Sequence, residues 1–155
     1  MATFSAGTKA EALVPYDRQL IWDVLVDPDL VARFTPFVKR IVDDGEHWRW
    51  SMSGLEVLGV GFTPVFTERM TLTDLERIEF KHDPPQGEKE RAGVTGWYAL
   101  REVEGGTWLE TSLDICASLP LPRISSPAVT SAMKGVMATM GDRFSKNLLD
   151  HLAKQ

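Results

Sequence analysis

The sequence predicts an α+β fold in which a curved antiparallel sheet of about seven strands wraps around one long C-terminal helix. Two observations lead to this fold class. Residues 37–117 alternate apolar and polar side chains between glycine- and proline-bearing turns, as antiparallel strands do. Residues 125–153 carry apolar side chains at helical spacing instead. This is the one long apolar-faced helix in the chain, so the sheet must be what it packs on.

Length and composition fit one domain over residues 1–155. The chain is 43% hydrophobic and 25% charged, as in ordinary soluble proteins. Its net charge is −5 and its 17 Lys and Arg residues are scattered, which argues against a nucleic-acid partner. No apolar run approaches the roughly 18 residues of a membrane span, and residues 1–13 lack the layout of a signal peptide. Because Cys116 is the single cysteine, we expect a reducing, cytoplasmic location.

The first part of the chain predicts one strand followed by two short helices. Residues 3–14 form the strand, which ends at Pro15. Asp17 can cap the first helix, because its carboxylate can accept the free amide groups of the first turn. Asp27 followed by Pro28 predicts a second helix, with a cap residue and then proline at the first helical position. The two helices are therefore joined by almost no linker.

Four chain reversals divide the central part into strands and set which residues lie opposite each other. The reversals are expected at Asp44-Gly45, residues 73–77, residues 83–87 and Gly105-Gly106. Successive strand side chains point to opposite faces, so each turn fixes a register. The expected cross-strand pairs are Ile41 with Trp48, Phe37 with Met52, Leu72 with Ile78, Met70 with Phe80, Leu100 with Thr111 and Tyr98 with Leu113.

Two stretches of the chain resemble the START-like (SRPBCC) superfamily, which includes polyketide cyclase/dehydrase-like proteins and the pollen-allergen proteins. The family's "AP…VW..L.DP" opening is similar to Val14-Pro15, Ile21-Trp22-Asp23-Val24-Leu25 and Asp27-Pro28. Residues 93–113 resemble its last hairpin, with a "G.Y.L…GGT.L…L" rhythm. The similarity spans about residues 8–153 and implies the helix-grip fold.

The resemblance implies a cavity between the curved sheet and the long helix that holds a small hydrophobic molecule, such as a lipid or a polyketide. Some members of the superfamily catalyse cyclisation or aromatisation and others have no known reaction, so the fold does not decide between them. Three functions stay open. The chain could bind a small hydrophobic or aromatic ligand, act as a polyketide cyclase, aromatase or dehydratase, or serve as a protein-interaction module with a filled core. No cofactor is expected.

One polar group on an apolar strand face is the candidate for chemistry. Glu68 shares its face with apolar neighbours, and the expected register sets His82 directly opposite it. A carboxylate facing an imidazole can act as an acid–base pair, and Tyr98 on the same face could add a hydroxyl. The alternative is a partly exposed ion pair at the end of the sheet, worth about 0–1 kcal/mol.

Aromatic and methionine side chains are the candidate walls of the ligand pocket, because such sites are mostly apolar with few polar anchors. The expected ligand-binding residues are Trp48, Trp50, Met52, Phe66, Glu68, Met70, Phe80, His82, Tyr98, Met133, Met137 and Met140. Ordinary core packing explains the same pattern. Lys39 would point inward opposite Trp50, either reaching the rim or meeting an anionic ligand.

Other polar and aromatic residues suggest no further site. The three histidines, His47, His82 and His151, are far apart in sequence, with no other residue at metal-ligand spacing, so no metal site is expected. Trp97 and Trp108 should lie on the outward face, where they could form an aromatic patch for a homodimer or be exposed singly.

Overall fold

The computed structural model describes residues 1–155 and contains nine strands and three α-helices. In chain order they are β1 (Ala2–Val14), α1 (Arg18–Leu25), α2 (Pro28–Phe34), β2 (Val38–Asp44), β3 (His47–Met52), β4 (Leu55–Val57), β5 (Val60–Phe62), β6 (Val65–Thr73), β7 (Arg77–His82), β8 (Ala92–Val103), β9 (Gly106–Leu119) and α3 (Ser126–Leu152). A short 3-10 turn, Arg123–Ser125, leads into α3. No helix is both long enough and apolar enough to cross a bilayer.

Seven of the strands form one antiparallel sheet in the order β1-β9-β8-β7-β6-β3-β2. The first strand returns to pair with the last along its whole length, from Ala2 opposite Leu119 to Val14 opposite Thr107. The predicted α+β fold class, with about seven strands, two short helices after the first strand and a long C-terminal helix, is confirmed.

Both short helices begin at the predicted caps. The Asp17 carboxylate accepts the amide of Gln19 at 2.8 Å. The Asp27 carboxylate accepts the amides of Asp29 at 3.0 Å and Leu30 at 3.1 Å. These bonds satisfy amide groups that have no partner inside the helix, so the local sequence is enough to set both starts.

The predicted register is right for one hairpin and shifted by two residues in two others. Leu72 lies opposite Ile78, as expected. Ile41 lies opposite Trp50 rather than Trp48, and Leu100 lies opposite Leu109 rather than Thr111.

Each shifted hairpin turns one residue away from the predicted place. The flanking pairs are Asp44 with His47 and Val103 with Gly106. In the first hairpin the Asp43 carboxylate accepts the Gly45 amide at 3.1 Å, which holds this later turn. A shift of two residues keeps every side chain on its predicted face, because the side-chain period of a strand is two.

The start of β2 also departs from the prediction. A register shift between Val38 and Arg40 places Val38, rather than Phe37, opposite Met52. Phe37 has φ +69 and Lys39 is exposed. The expectation that Lys39 points inward is therefore wrong, because the irregular strand turns its side chain to solvent.

A small hairpin of β4 and β5 was not predicted from the sequence. Its turn has Leu58 at φ +49 and Gly59 at φ +79. Its Val57 and Phe62 are buried in one core cluster with the first half of α3. The hairpin therefore covers one end of the space between the sheet and α3.

The long helix is buried at its two ends and half-buried in its middle. Val129 and Met133 lie in the cluster covered by the small hairpin. Leu148 and Leu152 pack at the other end with α1, in a second core cluster. Between them, Met137, Met140, Phe144 and the other inward residues keep accessible surface. The middle of α3 is therefore less buried than its two ends.

Candidate functional site

The inner face of the sheet and the helix α3 that packs on it carry the predicted pocket residues other than His82. At the end covered by the small hairpin, Met52, Phe66 and Met133 are buried, and the residues packed against them include Trp50, Met137 and Met140. Phe80, Met70 and Tyr98 belong to the second cluster, and Trp48 is buried in a third with Val31 and Ile41. The structure thus brings together the predicted wall residues, with His82 as the exception.

Glu68 is the one carboxyl group buried on this face. It lies in β6, opposite Trp48 on β3, and is 3% exposed. Burial raises its pKa from 4.5 to about 8, because the charged form is poorly solvated there. Glu68 is therefore largely uncharged at pH 7, and its carboxyl group can then donate as well as accept a hydrogen bond.

Trp50 provides a second buried polar group beside Glu68. It lies diagonally across from Glu68, since its direct partner on β6 is Phe66. Its ring stacks on Phe66 with centroids 5.5 Å apart and planes 17° apart. The indole Nε1 is buried without a hydrogen-bond partner. The indole N–H lies close to the Glu68 carboxyl group and partly offsets the rise in its pKa. Its geometry does not, however, meet that of a hydrogen bond.

Tyr98 adds a hydroxyl to the same region. Its ring packs edge-on against Phe80, with centroids 5.2 Å apart. Burial, and secondarily the charge on Glu68 when ionised, raise the pKa of the Tyr98 phenol. The residue as a whole is half-buried. Tyr98 therefore stays protonated across the physiological range.

The expected contact between Glu68 and His82 is not formed. The two residues are directly opposite in the backbone register, as predicted. The imidazole instead bonds through Nε2 to the Glu90 carboxylate at 3.0 Å, at the end of β7 where the chain leaves the sheet. Its ring also lies where a side chain at Gly93 would point, 2.3 Å from the position of an added Cβ. Because residue 93 is glycine, the imidazole has room to lie there, bonded to Glu90 and away from Glu68.

Glu90 is the centre of a polar cluster that sequence reasoning missed. Its side chain is 4% exposed and accepts the Thr67 amide at 2.8 Å, the Thr67 hydroxyl at 2.7 Å and His82. Arg49 lies 4.0 Å from it and 3.3 Å from Glu88. These bonds hold the loop before β8 against β6. No local sequence signal marks Glu90, because its partners come from other strands.

Two depressions on the protein surface lie away from the inner face of the sheet. A depression of about 520 Å³ follows α2 and the start of β2, and includes Phe37 and Lys39. Another, of about 310 Å³, lies over β1, β8 and β9, beside His82 and the half-buried Cys116. No three His, Cys, Asp or Glu side chains are grouped so that they could hold a metal ion.

The two outer tryptophans do not form one patch. Trp97 pairs with Ser112, whereas Trp108 pairs with Arg101, four residues further along β8. Arg77 lies over the Trp97 ring, 4.5 Å from its centroid. Both tryptophans are half-buried, so this face presents two separate aromatic side chains.

Comparison with known proteins rests on structure. No protein-family model and no curated protein sequence matches the chain. A START superfamily protein from Mycobacterium smegmatis superposes with a TM-score of 0.68 at 14% identity, over 96% of this chain and 97% of that one. The di-domain ARO/CYC protein StfQ of the steffimycin biosynthetic pathway gives a TM-score of 0.68 at 12% identity, over 97% of this chain and 51% of that one.

A further ARO/CYC di-domain protein shows the same relation to this chain. BexL, of the BE-7585A biosynthetic pathway, superposes with a TM-score of 0.64 at 14% identity, over 97% of this chain and 50% of that one. This chain thus spans about half the length of each di-domain protein. At such identities the likeness concerns the fold. The chain has the START-like, helix-grip fold.

Proposed function

We propose that the protein binds a small, largely apolar or aromatic molecule in a cavity between the sheet and the middle of α3. The observation that carries this proposal is the burial of Glu68 on an otherwise apolar face, beside a Trp50 indole N–H that is buried without a hydrogen-bond partner. Buried polar groups are nearly always hydrogen-bonded, so an unpartnered donor beside a buried carboxyl group is typical of a binding site.

The surroundings of these polar groups support the same function. Met137 and Met140 pack against the first core cluster and remain half-buried, and methionine adapts readily to varied apolar shapes. The START superfamily and ARO/CYC proteins share the fold, which favours a small ligand over a filled core. We expect the twelve residues predicted from the sequence to contact it, except His82, whose imidazole is bonded to Glu90.

Intrinsic fluorescence provides the test. Titration with 2-acetylnaphthalene should give a saturable change in tryptophan emission, which Trp50→Phe should largely abolish. Trp97→Phe is the matched control, because Trp97 lies on the outer face under Arg77 and its loss should leave the change intact. Native mass spectrometry of the purified protein should also show a bound small molecule. No saturable change and no bound molecule would favour the interaction module with a filled core.

A polyketide cyclase, aromatase or dehydratase is the second candidate. The observation that favours it is the pKa of Glu68, about 8, since a general acid is most effective when its pKa lies near the working pH. Glu68 and Tyr98 would then be the acid–base groups, without His82. In that case Glu68→Gln should abolish turnover and keep ligand affinity.

A single domain over residues 1–155, a cytoplasmic location and a homodimer remain predictions.

A further inference from the structure

We infer that the ligand carries a neutral hydrogen-bond acceptor, such as a ketone oxygen, which is held by the indole N–H of Trp50 and the carboxyl group of Glu68. This inference rests on the proposed function and specifies the chemistry of its ligand. It follows from which polar groups are buried on the inner face and which charges are missing there.

The Trp50 indole sets the first requirement. Its Nε1 can only donate a hydrogen bond, and it is buried without an acceptor. An unsatisfied buried donor is costly, so a ligand that supplies an acceptor gains more than one that does not. The stacking of the Trp50 ring on Phe66 holds the N–H in place before the ligand arrives.

Glu68 sets the second requirement. It forms no salt bridge, and in its uncharged form it has one O–H to donate. Burial raises its pKa to about 8, so this form predominates at neutral pH. Two donors next to each other match an acceptor oxygen with two lone pairs. The Tyr98 hydroxyl is also close to Glu68, because the charge of an ionised Glu68 raises the pKa of Tyr98.

The charges around the site argue against an anionic ligand. Of the cations that could have faced it, Lys39 is exposed and His82 is bonded to Glu90. On β3 the neighbours are Trp48 and Trp50, and on β8 the neighbour is Tyr98. The half-buried residues in the middle of α3, Met137, Met140 and Phe144, are apolar. A buried carboxylate ligand would therefore find no counter-charge, which is strongly unfavourable.

The same arrangement makes the preference depend on pH. Above pH 8 Glu68 ionises, loses its O–H and places a negative charge beside the acceptor oxygen. A ligand with a ketone should therefore bind less tightly in alkali, because one donor is replaced by a repelling charge. Tyr98 is the only other ionisable group that interacts with Glu68, and its raised pKa keeps it neutral over this range.

Four naphthalene probes of nearly equal size test the inference by isothermal titration calorimetry at pH 6.5 and pH 9.5. They are 2-acetylnaphthalene, the hydrocarbon 2-isopropenylnaphthalene, the anion 2-naphthoate and the cation 1-(2-naphthyl)ethylamine. At pH 6.5 we expect the ketone to bind about tenfold more tightly than the hydrocarbon, which corresponds to one hydrogen bond. The naphthoate should bind weakest. The advantage of the ketone should disappear at pH 9.5.

Two variants separate the roles of the donors. Trp50→Phe should reduce the advantage of the ketone at pH 6.5, where the wild type shows it. Glu68→Gln keeps an N–H donor of the same size that does not titrate, so it should retain the advantage at both pH values. At pH 6.5, equal binding of ketone and hydrocarbon, or tightest binding of the amine or the naphthoate, would overturn the acceptor inference while leaving the ligand site in place. Binding of none of the four would reject the proposed function as well.

Discussion

Replacing Glu68 with glutamine should change how the stability of the protein depends on pH. Glutamine has the size of the uncharged carboxyl group and does not titrate. The folded protein holds a proton on Glu68 up to about pH 8, whereas the unfolded chain loses it near the ordinary value of 4.5. Between these two values the folded state binds more protons, so the contribution of Glu68 to stability falls as the pH rises. The contribution is complete below pH 4.5 and lost above pH 8.

The size of this effect follows from the interval between the two pKa values. Each pKa unit corresponds to about 1.4 kcal/mol, so the wild type should lose about 4 kcal/mol relative to Glu68→Gln between pH 5 and pH 9. That is a large share of the roughly 5–15 kcal/mol by which natural domains are stable. All other ionisable groups are common to the two proteins and cancel in the comparison.

Urea denaturation of both proteins at pH 5 and pH 9 measures the effect directly. Glu76→Gln is the matched control, because Glu76 is exposed. The free energy of unfolding of this variant should equal that of the wild type at both pH values. Curves for the wild type and Glu68→Gln that keep the same separation at pH 5 and pH 9 would show that Glu68 ionises normally. The interpretation of Glu68 as a buried neutral donor would then fail, and the acceptor inference with it.

Two further substitutions test the fold and the outer polar cluster. Gly106→Val should lower the free energy of unfolding by more than about 2 kcal/mol, because Gly106 has φ +147 and an added Cβ would lie 2.2 Å from a backbone oxygen of β1. Gly135→Ala, which adds a Cβ in open space within α3, should be neutral or stabilising, and equal melting temperatures for both variants would contradict the described turn. Glu90→Gln should cost roughly 1–3 kcal/mol and Glu88→Gln, at an exposed carboxylate, much less. The ring resonances of His82 should shift in Glu90→Gln, and a shift of similar size in a variant of Glu68 would mean that the imidazole faces inward after all.

The elements that could be predicted from the sequence are those set by local chemistry. The cap residues Asp17 and Asp27 determine where α1 and α2 begin, because an N-cap bond spans only two or three residues. The strands and α3 follow from the spacing of apolar residues, because apolar side chains recur every two residues in a strand and about every 3.6 residues in a helix. The inward face of Glu68 was also predictable, since a register error of two residues does not move a side chain to the other face.

The site itself was decided by tertiary structure. Whether His82 meets Glu68 depends on Glu90 and on the space above Gly93, which lie on a loop and on a different strand. The unpartnered Trp50 indole results from burial between strands and helix, which no spacing along the chain reports. The sequence by itself therefore determined the elements and their faces, because these depend on neighbours within a few residues. Only the folded chain decided which polar groups face each other, because their partners are brought together by contacts between distant strands.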